Sequence, residues 1–442
     1  MQPAARLTAA IELLSDVEDK MAARGVPADA LVSGYFRARR YAGSKDKRAI
    51  SGYIYDILRA RELYLWALKR VGAVPTARNL VILHLLRHDE DSLNLFGQDN
   101  PFAPTRILED EEDQIRKLRQ IKWDEAPVDK ALNIPQWALS AFEDRFGKSL
   151  VEAAMALNQN APLDIRVNGL KNIGSNIKQV LNNESEPFEK NKYSLHGYRA
   201  NSSVNLGGMK AYKDGLIEVQ DEAAQLAASL ADARPGMQVV DLCAGAGGKS
   251  LAMAAAMQNS GQIHAFDIST KRLGSLKKRM QRAGARNIQV HRVEAEGAGR
   301  EIALRPFEGK TDRVIVDAPC SGTGTWRRSP DLRWRFDAHS LKEQADLQLS
   351  LLKEGAALVK SGGWLVYMTC SLLPVENEDV VSRFLDDVSA GTWRAVDYRE
   401  VWQTVLVSEA AETLARKPEF LQLAPHIHDT DGFFLAILER TD

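Results

Sequence analysis

The sequence predicts an α/β protein whose C-terminal half is an open, mostly parallel sheet with helices on both faces. Three observations carry this. Short β-rich runs, MQVVDL, GQIHAF, NIQVH, DRVIVD and GWLVYMTC, recur after Asp221. Helical stretches such as GGKSLAMAAAM and TKRLGSLKKRMQRAG separate them, and strand–helix alternation builds parallel sheets. The first run also opens through a glycine-rich turn, CAGAGGKS, directly into an Ala-rich helix. Ligands of such sheets bind beyond the carboxyl ends of the strands.

The preceding residues follow other rules. LTAAIELLSDVEDKMAAR, AISGYIYDILRARELYLWALKRVG and ARNLVILHLLRHD place apolar residues three and four apart, which predicts helices over most of 1–125. NIPQWALSAFEDRFGKSLVEAAMALNQ extends the helical pattern, and LDIRVNGLK then alternates as a short strand. Residues 126–218 therefore read as a linking segment and small α/β module, rich in Asn, Gly and Ser, and 219–442 as the parallel-sheet domain.

Composition sets the class. The chain has 442 residues, 45% hydrophobic and 26% charged, enough for two or three domains. No apolar run is long enough to span a bilayer. The first twenty residues carry acids and a helical period rather than a signal-peptide pattern. The three cysteines suggest no disulfide framework, so a cytoplasmic location is expected, with no membrane, metal or stable protein partner implied. Net charge is −1, but basic residues cluster. Arg37 to Arg48 holds six basic residues against one acid, and KRLGSLKKRMQRAGAR holds no acid at all. Each run alone is most simply a solvated helix face.

The glycine turn has two acids beside it. Gly245, Gly247 and Gly248 allow close approach of backbone to ligand. Asp241 precedes the turn, and Asp267 ends the next strand, where a carboxylate can accept both hydroxyl protons of an adenosine ribose. Asp267 can equally cap the following helix. Glu294, after the third strand, either meets an adenine edge or is a plain loop acid. An acid at the loop entrance disfavours a pyrophosphate and suits an ammonium, opposed directly or through water. S-adenosylmethionine carries both an ammonium and a ribose.

All three cysteines fall at the same rim. Cys243 lies in the glycine turn, Cys320 follows the strand DRVIVD, and Cys370 ends GWLVYMTC. If the last two strands are neighbours, they run roughly 5 Å apart. Burial as a small hydrophobe explains one cysteine, but not Cys320 in its polar Pro-Cys-Ser-Gly setting. A thiol beside a methyl donor suits C5 of cytosine, which is too weak a nucleophile unless a thiolate first adds to C6. Asp317 can hydrogen-bond the base and stabilise the adduct. The residues leave open which sulfur attacks.

Taken in order, LDIRVNGLK, GLIEVQDEAAQLA, VVDLCAGAGGKS, AFDIS, DAPCSGTGTWRRSPDLRW, LVYMTCSLLPVENEDVV and DTDGFFLAILER resemble the Sun-type RNA cytosine-C5 methyltransferases, and within them the bacterial 16S rRNA methyltransferase B (RsmB-like) group. The resemblance covers roughly Asn133 to the C-terminus. It implies a Rossmann-like S-adenosylmethionine-dependent core with a mostly parallel seven-stranded sheet. It makes Cys370, in Thr-Cys-Ser, the nucleophile and Cys320, in Pro-Cys, the residue needed for product release, with Asp317 beside them. The cofactor segment maps to Cys243, Ala244, Gly245, Ala246, Gly247, Gly248 and Lys249, completed by Asp267, Glu294 and Asp317. The loop departs from the family's usual Cys-Ala-Ala-Pro-Gly-Gly-Lys by lacking the proline, and Glu294 stands where an aspartate is usual.

GSKDKRAISGYIYDILR resembles the helical NusB-like RNA-binding domain of that group. This implies RNA, most simply rRNA, as partner, with Arg37, Arg39 and Arg40 neutralising phosphates. Arg327, Arg328 and Arg333, flanked by Trp326 and Trp334, are a second expected RNA contact, the guanidiniums meeting phosphates and the indoles stacking on an extruded base. PVENED, after Cys370, reads as an acid-rich helix start with no catalytic role. Two other functions stay open: a tRNA cytosine-C5 methyltransferase, and a non-catalytic ribosome-assembly factor that retains the fold, although the latter predicts damaged motifs and every core residue is present here.

Overall fold

The computed structural model describes residues 1–22, 26–171, 181, 188–201, 204–387 and 392–442. Most of the Asn/Ser-rich stretch 172–187 therefore lies outside the described residues. The chain forms two compact units, Met1–Asn160 with Thr325–Ser340, and Ala161–Gly324 with Leu341–Asp442.

The first unit is helical, as the periodicity predicts. Its main helices are Pro3–Ala22, Ala28–Ala38, Ser44–Arg59, Arg61–Arg70 and Ala77–His88. Residues three and four apart, such as Leu7, Ala10, Leu14 and Val17, or Ile50, Ile54 and Ile57, belong to one buried cluster. Thr76 caps the last of these helices by accepting from Asn79 N. Further along, Trp326 is fully buried and stacks on Phe142 of the helix Gln136–Phe146, with ring centroids 5.2 Å apart.

The second unit holds two sheets. The smaller contains β1 (Leu163–Val167), β2 (Phe188–Lys190), β3 (Gly197–Ala200) and β4 (Ile217–Val219), in the antiparallel order β2-β3-β1-β4. Asp164 of β1 pairs with Arg199 at 2.7 Å. Glu218 of β4 takes Arg279 and Arg282 from the helix Thr270–Ala283 at 2.9 and 2.7 Å. Part of the acid-free basic run thus joins the module to the larger sheet.

The larger sheet contains β5 (Gln238–Asp241), β6 (Gln262–Asp267), β7 (Ile288–Arg292), β8 (Thr311–Asp317), β9 (Val359–Thr369), β10 (Trp393–Val396), β11 (Leu421–Leu423) and β12 (Phe433–Arg440). Its path is β10-β12-β9-β8-β5-β6-β7. β5 to β9 run parallel, while β12 is antiparallel to its neighbours. β11 pairs with residues 433–435 of β12 and β10 with 437–440, so the two share one edge and the sheet is seven positions wide. The chain leaves β5 for β6 and later returns to β8 on the other side of β5. This reversal opens a crevice above β5, where ligands of doubly wound sheets bind.

Candidate active site

The glycine turn crosses that crevice. Gly245 and Gly247 adopt φ of +56° and +81°, conformations that side chains disfavour. A Cβ on Gly247 would also lie 2.1 Å from Leu276 Cδ1. Asp267, at the end of β6, is 6% exposed and accepts from Gly245 N at 2.8 Å and from Ser269 N at 2.7 Å. It therefore fixes the turn from the β6 side of the crevice. Arg279 Nη1 holds the turn from outside by donating to Ala246 O at 2.8 Å.

Asp241 ends β5, just before the turn. It is 1% exposed and bonded to Ser250 Oγ at 2.6 Å. Burial pushes its carboxyl up to about 6. Its Oδ2 is held by the helix that follows the glycine turn, and its Oδ1 is buried without a hydrogen-bond partner among the described residues. Glu294 stands exposed two residues beyond β7. Cys243 lies in the turn, and its thiol is pushed up by burial first, then by the charges of Asp241 and Asp317. Ala244 N bonds Phe266 O at 2.9 Å, which aligns the turn with the end of β6. Lys249, at the start of the helix Gly248–Ala256, forms an ion pair with Asp317 and lies 4.9 Å from the Phe433 ring centroid. It joins the glycine turn to the Pro-Cys loop. The positive-φ glycines, the Asp267 carboxylate and the amides at a helix N-terminus fit the ribose and amino-acid ends of S-adenosylmethionine.

The two remaining cysteines meet. β8 and β9 are parallel neighbours, with Asp317 opposite Met368, and Ala318 N bonds Met368 O at 2.9 Å. Cys320 and Cys370 therefore leave adjacent strands at the same end, and their sulfurs stand 3.4 Å apart. Both are partly exposed. The Cys320 thiol is pushed well above its ordinary value, first by its hydrogen bond with Cys370 and then by burial. Gln344 and Gln348 both donate to Pro319 O, at 2.7 and 2.9 Å, and fix the loop that carries Cys320.

PVENED is more than a helix start. Glu378 does open the helix Glu378–Asp387, but Glu376 lies in a 3-10 turn before it and is fully buried. Its carboxylate accepts from Ser321 and Ser371, the residues that follow the two cysteines. The signal was present: an acid directly after Leu-Leu-Pro-Val is surrounded by residues that bury. Gly432, in the DTDG element, was also missed as part of this assembly. Its N–H bonds Gly324 O at 2.9 Å, and Gly324 N bonds Cys370 O at 2.9 Å.

The arginines divide. Arg37 and Arg40 are exposed, and Arg39 lies over the Tyr35 ring at 3.7 Å and meets Glu12 at 3.3 Å. Arg328 is half-buried. Arg327 is buried, and its carbonyl accepts from Arg59 at 3.1 Å. Arg333 is 1% exposed and donates to Leu157 O at 3.1 Å and Asn158 Oδ1 at 2.7 Å. Burial pushes its guanidinium down to about 9. The expected phosphate contact at Arg333 is thus corrected to an internal one, because the side chain is sealed inside the helical unit with Nη2 bonded to protein oxygens. Trp326 has no free face for a base, being sealed against Phe142.

A seven-position sheet with its reversal at β5, a glycine turn over that reversal and an acid at the end of β6 define an S-adenosylmethionine-dependent methyltransferase. Residues 228–439 match the family described as 16S rRNA methyltransferase RsmB/F. A probable ribosomal RNA small subunit methyltransferase B of Synechocystis is 35% identical over 316 residues, covering 70% of this chain and 67% of its own. The ribosomal RNA small subunit methyltransferase B of Serratia proteamaculans is 32% identical, covering 69% and 66%. The matches thus span about two thirds of these relatives' length. Among solved structures, PH0851 aligns over 100% of the chain and 99% of its own, with TM-score 0.78 and 24% identity, a likeness of fold. A methyltransferase homologue from Pyrococcus horikoshii covers 70% of this chain and 96% of its own, with TM-score 0.59 and 26% identity. The chain belongs to the RsmB/F family of RNA methyltransferases.

Proposed function

We propose that the protein methylates C5 of a cytosine in small-subunit rRNA, through a covalent adduct between Cys370 and C6 of the base. The observation that carries this reading is the 3.4 Å approach of the Cys320 and Cys370 sulfurs at the end of β8 and β9. One thiol adds and a second group must then help the adduct collapse, so two sulfurs at one point suit this chemistry better than any single-step transfer. The names of the relatives support rRNA as the class of substrate.

Cys370 adds as thiolate to C6, forming an S–C6 bond and moving an electron pair to C5. S-adenosylmethionine supplies the methyl group that C5 takes up. The C5 proton then leaves to a base, the S–C6 bond breaks, and Cys370 departs with the bonding pair as the ring regains its double bond. Cys320, whose thiol is held protonated by its bond to Cys370 and by burial, is suited to exchange protons in this release step. Asp317 and its partner Lys249 line the approach, where the carboxylate can accept from the cytosine amine. The helical unit, with exposed Arg37 and Arg40, serves as the RNA-binding domain.

The test is a pair of variants with labelled rRNA. Cys320→Ala should accumulate a protein–RNA adduct stable to denaturing gels, and Cys370→Ala should form none. An adduct in Cys370→Ala but not in Cys320→Ala would reverse the roles. No adduct in either, with methylation intact, would remove the covalent route. Bisulfite sequencing of rRNA and tRNA from a strain lacking the gene identifies the substrate.

A further inference from the structure

We propose that Glu376 is a positioning residue of methyl transfer: its buried carboxylate ties the loop carrying Cys320 to the loop carrying Cys370 and sets which sulfur is free to attack. This rests on the covalent reading above but concerns a residue that touches neither base nor cofactor.

Four donors converge on this one side chain. Oε1 accepts from Ser321 N at 2.8 Å and from Gln348 Nε2 at 3.1 Å. Oε2 accepts from the hydroxyls of Ser321 and Ser371. The Ser371 oxygen is otherwise used, since it takes Leu373 N at 3.0 Å and the Thr323 hydroxyl at 3.2 Å. In the Thr323–Ser371 pair Thr323 is the donor, because the Ser371 hydroxyl donates to Glu376 Oε2; the Thr323 oxygen also accepts from Leu372 N at 2.8 Å. Every acceptor position of the carboxylate faces a donor, the arrangement that suits an ionised acid. Such a group with no charged partner is costly to bury. For packing alone, a neutral or apolar side chain would serve.

The position explains what a carboxylate adds. Each cysteine immediately precedes a serine held by Glu376, so the sulfur separation is fixed through two short backbone steps. The titratable groups facing Cys320 are Cys370 and Tyr367 on the β9 side and Glu376 itself. A negative charge at Glu376 disfavours a second negative charge on Cys320. Burial pushes the Glu376 carboxyl up, against which the bonds from Ser321, Ser371 and Gln348 act. Asymmetry between two neighbouring thiols is what the reaction requires, since one must attack and the other must hold a proton.

The experiment uses the full chain with Glu376→Gln and Glu376→Ala. Glutamine keeps the shape and one acceptor oxygen for Ser321 N and Gln348 Nε2, and removes the charge together with the acceptor that faces the two serine hydroxyls. Alanine removes the tie. Alkylation of each cysteine by iodoacetamide, followed by peptide mass spectrometry across pH, reports both thiols without RNA or turnover. In the wild type Cys320 should react with a midpoint well above that of an ordinary cysteine. Glu376→Gln should lower the Cys320 midpoint by about one pH unit. Glu376→Ala should slow single-turnover methyl transfer about 100-fold, with cofactor affinity and KM for RNA within threefold. If that variant does not fold, Glu376→Gln decides alone. An unchanged Cys320 midpoint in Glu376→Gln, or a folded Glu376→Ala with wild-type turnover, overturns the proposal. The Cys320→Ala adduct, measured with Glu376 intact, separately reports whether the covalent reading stands.

Discussion

Replacing Gly324 by alanine should disrupt the cysteine site from a position that carries no chemistry. Gly324 lies between two backbone bonds, donating to Cys370 O and accepting from Gly432 N, each at 2.9 Å. A Cβ there would stand 2.2 Å from Gly432 O and 2.6 Å from Gly432 Cα. Both are backbone atoms, so no rotamer change relieves the clash. Ordinary contact begins near 3.4 Å, so the two segments must separate by about 1.2 Å. That stretches the Gly432–Gly324 bond to roughly 4 Å, beyond hydrogen-bond range. Losing the bond costs about 1 kcal/mol, and forcing a methyl into packed structure about 1–3 kcal/mol. The expected loss is therefore about 2–4 kcal/mol, read from the urea midpoint. Displacement on this scale reaches Cys370 through its carbonyl, and misplacing a reacting group by about 1 Å costs about 100-fold in rate. Single-turnover transfer of labelled methyl to rRNA measures it. A variant with the wild-type urea midpoint and a rate within threefold would refute the close-approach argument.

Asp267→Ala removes the acceptor for Gly245 N and Ser269 N. Cofactor affinity should fall about 10–100-fold, which is about 1.4–2.8 kcal/mol, in calorimetric titration, while RNA affinity stays unchanged. Arg333→Ala should destabilise the helical unit in urea and leave the salt dependence of RNA binding as it was, whereas Arg37→Ala with Arg40→Ala should reduce the slope of log affinity against log salt by about one to two. Asp241 titrates near 6 in the folded chain, above its ordinary 3.8. The folded state thus binds the extra proton, and stability from this group falls as pH rises from about 4 to 6 and is flat above. Asp241→Asn should abolish that fall, as seen in urea midpoints taken across the interval.

No helix among the described residues is long and apolar enough to cross a membrane, as the hydropathy of the sequence already indicated. The strands β5 to β9 were legible because each is a short β-rich run bounded by turn residues, and local composition suffices for that. The glycine turn, Asp267 and the two Cys-Ser elements were legible because reactive chemistry demands particular residue types at short spacing. Sequence also located both cysteines at one rim, since strand ends in a parallel sheet all point the same way.

Tertiary structure decided the rest. Cys320 and Cys370 are fifty residues apart in the chain, and only the pairing of β8 with β9 brings their sulfurs to 3.4 Å. Arg333 looked like a surface cation, because charge reads the same in sequence whether it faces water or a carbonyl; burial is a property of what packs around it. Glu376 reverses the case. It read as part of an acid-rich helix start, but the reason a carboxylate belongs there is the simultaneous presence of Ser321, Ser371 and Gln348. Hydrogen-bond partners drawn from three separate segments leave no local pattern, so their convergence becomes visible only once the chain is folded.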